Sequence, residues 1–354
     1  MAYRGYHYNG YRGRGRSVLK AIIAVLVVVL LLLLAALFLL ENAQVFSGGG
    51  VHLGGLGQSS QTPQPENTEP LVVVTATPSP TPTPDPSLPA QAMTLPLSAL
   101  TDGTAETQLT TAGASAAIFD MKGDDGSLGY VSALTLAAQG NANPSDEEIN
   151  TAIETLNAGD IYTIARVSCF RDNTVPYYVP TLGVKTNSNY NWRDGGDYRW
   201  LSPTSDEVRQ YVTDICVELA RMGFDEIMLD NSAYPTTGHL EYIRKGDAYD
   251  AAQFETVVTN FYAQIKSALA AYPDVTLSIV TDSATLTAGV NATSGQSVAG
   301  MTANADRLWV ELGETTLADV QTALGTQGVT LKEDELIPVV AAPGAAGTAW
   351  GVIQ

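Results

Sequence analysis

The chain has 354 residues, two cysteines and a formal charge of −19. That charge is unevenly placed: five basic residues and no acid precede Glu41, and the remainder carries 13 basic against 37 acidic residues, a net of −24. So acidic a domain repels nucleic acid and anionic lipid, which excludes a nucleic-acid binder, and two cysteines are too few for a disulfide framework.

Residues 1–17 form a basic tail in which Tyr3, Tyr6, Tyr8 and Tyr11 alternate with arginine and glycine. Ala21 to Leu40 is a run of twenty residues without a charged or polar side chain. As a helix rising about 1.5 Å per residue it matches the hydrocarbon thickness of a bilayer, about 30 Å. It is longer than the apolar core of a signal peptide, and Phe38-Leu39-Leu40-Glu41-Asn42 offers no small-x-small cleavage site. Residues 18–40 are therefore expected to be an uncleaved single-pass anchor. The basic residues on its N-terminal side keep 1–17 cytoplasmic and put the rest outside the cell.

Residues 41–90 read as a disordered linker, first rich in Gly and Ser, then in Pro and Thr. Nine of the 18 prolines lie between Thr62 and Pro89, a composition that gives an extended spacer without a core. The glycines at 48–50 and 54–55 lack the following lysine of a phosphate loop.

From 91 to 354 strand and helix patterns alternate. Strands are predicted near 93–98, 115–120, 161–168, 226–230, 276–281, 306–311, 336–341 and 349–353, with helices most clearly at 204–222, 251–271 and 315–325. In the first of these helices Thr204 and Glu207 have capping-box spacing, and Gly223 supplies the stop. Eight strands with intervening helices in roughly 265 residues predict a (β/α)8 TIM-type barrel. A doubly wound sheet is the competing architecture, since alternation alone does not fix closure. Only a residue or two follow the eighth strand, so no covering helix is expected after it.

Four of the apolar runs end in an acid: Asp120, Asp230, Asp282 and Glu311. Strands buried on both faces read as continuous apolar runs, and an acid just past such a run lies at the C-terminal edge, where barrels carry their chemistry. Paired carboxylates across one cleft are the equipment of glycoside hydrolysis. Asp230, Asp282 and Glu311 are thus the candidate catalytic residues; the bland alternative for each is a helix cap or a solvated loop acid. Asp120 and Lys122 are placed to hold sugar hydroxyls. Arg166 lies within a strand, where an unpaired charge is costly, so a carboxylate such as Asp230 or Asp120 is its expected partner. The aromatic segment 177–200, with Trp192 and Trp200, suits the flat faces of sugars. His7, His52 and His239 are scattered and the Asp124-Asp125-Gly126 turn lacks calcium-loop spacing, so neither a metal nor another cofactor is expected. Cys169 and Cys216 sit in apolar patterns and read as buried free thiols.

Several of these segments resemble one family. Ile118-Phe119-Asp120-Met121-Lys122-Gly123-Asp124-Asp125-Gly126 resembles its Asp-Val-Lys-Asp-Asp-Asp-Gly signature. Ile164 to Asp172 resembles its Ala-Arg strand and basic-Asp turn, Trp200-Leu201-Ser202-Pro203 its Trp-Leu-Asn-Pro, and Met222 to Asp230 its Gly-Phe-Asp-Glu-Ile-Gln-Phe-Asp. The family is a glycosyl hydrolase domain family of bacterial proteins, TIM barrels distantly related to α-amylase-type enzymes. The resemblance spans about residues 92–311. It implies a glycoside hydrolase acting on a polysaccharide or cell-wall glycan, with Asp230 as nucleophile, Asp282 as acid/base and Glu311 as its substitute. The chain departs from the pattern after Asp230, where Asn231-Ser232-Ala233-Tyr234-Pro235 replaces Tyr-Ile-Arg-Phe-Pro, and around Asp282 and Glu311. A catalytically silent barrel that binds glycan at the cell surface is the alternative reading.

Overall fold

The structure, a computed structural model, describes residues 88–344 and 348–353. The basic tail, the expected anchor at 18–40 and residues 41–87 of the expected linker lie outside the described residues. Among the described residues no helix is long and apolar enough to cross a membrane.

Eight strands close into one parallel barrel in chain order: β1 Gln91–Thr94, β2 Ala116–Lys122, β3 Tyr162–Ser168, β4 Glu226–Asp230, β5 Thr276–Asp282, β6 Arg307–Glu311, β7 Leu336–Val339 and β8 Trp350–Val352. The first strand meets the last, with Ala92 opposite Gly351. Closure decides for the barrel over the doubly wound sheet. β1 is shorter than its apolar run suggests, because Pro96 follows and Leu97–Leu100 coils into a 3-10 turn.

The described helices are α1 Ala105–Ala112, α2 Thr135–Gln139, α3 Ile149–Asn157, α4 Val175–Tyr178, α5 Asp206–Arg221, α6 Phe254–Ala268, α7 Ser283–Ala288, α8 Val298–Asn304 and α9 Leu317–Thr326. The three clearest sequence patterns became α5, α6 and α9. The cap of α5 differs from expectation by one residue. Ser205 accepts from the Val208 amide, while the Thr204 hydroxyl is taken by the Tyr234 phenol at 2.6 Å. Gly223 does end the helix, with φ of 89°. Ser205→Ala should therefore cost about 1 kcal/mol in a denaturant melt, and Thr204→Ala should leave the helix cap intact.

Side chains on each strand alternate between two apolar layers. Ala92, Ile118, Ile164, Met228, Val280, Trp309 and Ile337 fill the interior of the barrel. Phe119, Val167, Ile227, Leu229, Ile279 and Val310 belong to the larger cluster between strands and helices. Trp309 needs Gly351 opposite it, since a Cβ there would collide with the indole. Gly351→Ala should cost about 1–3 kcal/mol by overpacking, read as a lower urea midpoint.

The interior parity also carries charge. On the barrel floor Glu226, fully buried, accepts from Arg307 Nη1 at 2.8 Å, Trp309 Nε1 at 2.9 Å and the Tyr162 hydroxyl at 3.2 Å. Arg307 Nη2 donates to the Pro89 carbonyl at 2.8 Å. Cys169 and Cys216 are free and buried, as their apolar surroundings suggested.

Candidate active site

Two-residue periodicity carries the interior rows upward to the C-terminal mouth. Ile118 leads to Asp120, Ile164 to Arg166, Met228 to Asp230, Val280 to Asp282 and Trp309 to Glu311. Pairing sets Asp120 opposite Arg166, Ser168 opposite Asp230 and Asp282 opposite Glu311. The floor and the mouth are thus polar caps on one apolar column.

Arg166 is the centre of the mouth. It is buried and contacts three carboxylates: Asp120 Oδ1 at 2.6 Å, Asp124 Oδ1 at 2.8 Å and Asp230 Oδ2 at 2.6 Å from Nη2 and 2.8 Å from Nε. The expected pairing with Asp230 and Asp120 holds, with Asp124 added. Such a partner makes burial of the charge tolerable. Burial tends to lower the affinity of Arg166 for its proton, and the three acids more than offset that.

Asp124 joins two cations. Its second oxygen takes Arg171 Nη1 at 2.6 Å. Burial pushes its carboxyl up, but Arg166, Arg171 and Ser168 outweigh that, so its pKa falls below the ordinary value. Asp120 has no second arginine. Burial pushes its carboxyl up, Asp124 and Asp230 add to the push, and the pull of Arg166 does not cancel it. Arg171 in turn donates from Nε to Asp194 Oδ2 at 2.7 Å and lies over the Tyr198 ring at 4.2 Å. Asp194 is buried and also takes the Trp200 indole N–H at 3.0 Å and the Gly196 and Tyr198 amides.

Asn231 turns the chain after β4 with φ of 44°, a left-handed conformation that asparagine tolerates. Its amide N–H donates to Asp230 Oδ1 at 2.6 Å, and its side chain donates to Asp124 Oδ1 at 3.1 Å and Ser168 Oγ at 3.0 Å. Both oxygens of Asp230 are therefore engaged.

Asp230, Asp282 and Glu311 line one cleft of about 260 Å³, with Arg171, Asp194 and Trp200 on its wall. Asp282 has a structural task there: its Oδ1 accepts the Thr285 amide at 2.6 Å and caps α7. Among the described residues Glu311 makes no comparable bond. Burial, then the negative charges of Asp230 and Asp282, raise its pKa against the pull of Arg166. Its side chain still reaches solvent, which screens part of this effect.

Of the expected sugar-binding residues, Asp120 and Arg166 line a second hollow with Asp124 and Tyr198, and Lys122 and Trp192 are buried. β2 carries a register shift between Asp120 and Lys122. This irregularity breaks the two-residue parity that would have put Lys122 beside Asp120. Lys122 is instead fully buried, with its ammonium 2.9 Å from Asp172 Oδ2 and 2.7 Å from the Ser168 carbonyl. Trp192 is also buried, its N–H spent on the His239 carbonyl at 2.9 Å, so it packs the loop and offers no face to a sugar. Trp200 does line the cleft, although little of it is exposed. Asp124, Arg171, Asp194 and Asn231 were not singled out as site residues from sequence. The Arg171-Asp172 pair after a strand was the available signal, but which of the two would face the mouth depends on the fold.

A larger hollow, about 1230 Å³, lies at the other end of the barrel, against Ser115 and Ile161 where β2 and β3 begin. Its size does not make it the site, because the strand-end carboxylates are at the opposite face. Among the described residues no group of three or more His, Cys, Asp or Glu side chains is placed to hold a metal ion.

The sequence model of the family described as "Putative glycosyl hydrolase domain" matches residues 100–309. The chain belongs to this family. The match covers β2 to β5 and the start of β6, and with them Asp120, Asp124, Asp230 and Asp282; Glu311 lies two residues past its end. No curated protein matches the chain. Among solved structures, a hypothetical protein from Ruminiclostridium thermocellum is 25% identical over 53% of this chain and 96% of its own, with a TM-score of 0.45. The glycoside hydrolase domain of PgaB (BpsB) from Bordetella bronchiseptica is 13% identical over 71% of this chain and 84% of its own, with a TM-score of 0.48. Ega3 from Aspergillus fumigatus, solved in complex with galactosamine, is 14% identical over 72% and 78%, with a TM-score of 0.41.

Proposed function

We propose that this chain hydrolyses a glycan at the barrel mouth, with Asp230 as the ionised carboxylate and Glu311 as the proton donor. The observation that carries the reading is the asymmetry of one cleft. Asp230 is held by the Arg166 guanidinium, while Glu311, across from it, holds its proton more tightly than a free glutamate. Acid and nucleophile need opposite protonation states, and the raised affinity of Glu311 for its proton suits it to the acid role. Asp282, spent on capping α7, supports the cleft and leaves the acid role to Glu311. The reaction breaks the glycosidic C–O bond: Glu311 gives its proton to the leaving oxygen, and either Asp230 or a water it activates takes the anomeric carbon.

Reducing-end release from a panel of wall and capsular polysaccharides tests this. Asp230→Asn and Glu311→Gln should each lower turnover of a cleaved substrate by at least about a hundredfold, the usual scale for one acid–base group. The sign of the pH dependence follows from Glu311. It works protonated, so activity should be full below its raised pKa and fall as the pH rises through it, a limb that Glu311→Gln removes. Unchanged hydrolysis in Asp230→Asn rules out its role.

A catalytically silent, glycan-binding barrel is favoured by one observation: both Asp230 oxygens are already occupied, by Arg166 and the Asn231 amide. Binding without any cleavage across the panel selects that reading.

The reading extends to location. The apolar run at 21–40, with basic residues only on its N-terminal side, supports a single-pass anchor holding the barrel outside the cell on the 41–90 spacer. Protease added to intact cells should release the barrel domain; a protected domain refutes this topology.

A further inference from the structure

The acidic domain carries one concentration of positive charge away from the mouth. The segment between α4 and α5 folds into short antiparallel ladders, Lys185 with Asn191 and Arg193 with Arg199, and these residues line a pocket of about 400 Å³. Tyr177, Tyr190, Lys185, Arg193 and Arg199 line it, together with Asn189 and Asn191. It shares no lining residue with the mouth cleft. Arg244 adjoins it, donating to Asn189 Oδ1 at 3.0 Å.

These cations are not neutralised. Arg193 alone has a carboxylate, Asp197 at 2.6 Å, and that pair is solvent-exposed and so worth little. Among the described residues Lys185, Arg199 and Arg244 have no carboxylate at ion-pairing distance. Neutral groups hold them instead: Lys185 on the Pro180 carbonyl and Asn191 Oδ1, Arg199 on Asn173 Oδ1 at 3.1 Å. In a chain with 37 acidic against 18 basic residues this is an unusual use of charge. The cations also repel one another: beyond burial, Arg244 weakens proton binding by Lys185, and Arg193 does so at Arg199. An arriving anion would relieve that repulsion.

The pocket also presents ring faces. Tyr190 is 75% exposed and Tyr177 59% exposed, each large for an aromatic residue. Tyr177 is fixed by an edge contact with Tyr178 and by the Arg199 guanidinium 5.1 Å from its centre. Flat faces beside amide groups suit a sugar ring, and guanidinium forks suit a carboxylate. The volume is that of a small-ligand pocket, about 300–1,000 Å³. An extended polyanion such as nucleic acid or an anionic bilayer would also meet the acidic surface around the patch and be repelled. A slender chain entering the pocket would not.

We propose that this pocket is a second glycan site, separate from the barrel mouth, that selects a polysaccharide bearing carboxylates. It does not depend on hydrolysis at the mouth. The full-length chain is titrated by calorimetry with short chains of polygalacturonate, alginate and hyaluronate, and with carboxyl-reduced polygalacturonate. At least one acidic glycan should bind, and the reduced form should bind at least tenfold more weakly. Lys185→Gln with Arg199→Gln, and separately Tyr190→Ala, should weaken the acidic glycan about tenfold, equivalent to about 1.4 kcal/mol. Added salt should weaken it too, and Asp230→Asn should not. Tyr190 is so exposed that its loss leaves the fold intact, which keeps the test interpretable if the double variant misfolds. Failure of all three acidic glycans to bind, equal binding of the reduced form, or indifference to Tyr190→Ala overturns the proposal. Equal competition by inorganic phosphate or phosphatidylserine vesicles overturns it as well, in favour of a general anion patch.

Discussion

Arg166→Met is expected to destabilise the barrel by about 3–5 kcal/mol, the scale for breaking a buried ion pair from one side. The side chain it removes is the common partner of Asp120, Asp124 and Asp230. Methionine keeps much of the stem's volume, so the loss isolates the charge. Three carboxylates then remain together and, among the described residues, the one cation left beside them is Arg171, paired with Asp124 and Asp194. The pH dependence follows from Asp120. Burial already makes it hold its proton more tightly folded than unfolded. Without Arg166 that preference should deepen, so the deficit should widen as the pH rises through the raised pKa and shrink below it. Urea unfolding at several pH values measures both, and a pH-independent loss would contradict the account. Arg166→Lys, which keeps the charge but not the three-way fork, should fall between the two.

Lys122→Met should cost a similar amount, about 3–5 kcal/mol. Lys122 and Asp172 are both fully buried, and the ammonium is what faces Asp172 Oδ2. Among the described residues that oxygen has no partner besides this ammonium. The other oxygen is committed to the Thr174 and Val175 amides at the start of α4. Adding Asp172→Asn to Lys122→Met keeps those bonds and removes the stranded charge, so the double variant should recover much of the loss. A double-mutant cycle read by urea midpoints gives the coupling. Additive losses would mean that Lys122 acts through packing alone.

These two residues also show how far the sequence could be read. Arg166 was legible because a charge inside an apolar strand demands a partner, and the candidate partners were the acids ending neighbouring strands. The strands themselves were legible for the same reason: apolar runs of strand length closed by an acid recur at β2, β4, β5 and β6. Lys122 was misread because its direction is set by a register shift within β2, a property of how that strand pairs with β3 and not of its own residues. Trp192 was misread because composition marks a loop as aromatic without saying which rings face inward. The polar groups around Arg171 and Asp124 escaped notice for a related reason. Asp124, Asp194 and Asn231 come from three separate segments, and only closure of the barrel brings them to one guanidinium or its neighbour. Glu226 and Arg307 open their strands as unremarkable charges, and their meeting on the floor follows from interior parity once β4 and β6 are two places apart.

The pairing of β1 with β8 has a consequence for biogenesis. Gln91 and Trp350 are register partners, as are Met93 and Val352. During synthesis β1 emerges among the first parts of the barrel and its outer edge must wait for nearly the last. Until residues 350–352 have left the ribosome, β1 and β7 are bare edges able to pair with another chain. Contacts so distant in sequence also form slowly. Truncation within β8 should accordingly yield aggregates and not a weakened enzyme, and nascent chains should require a chaperone or a holding factor until the ring can close.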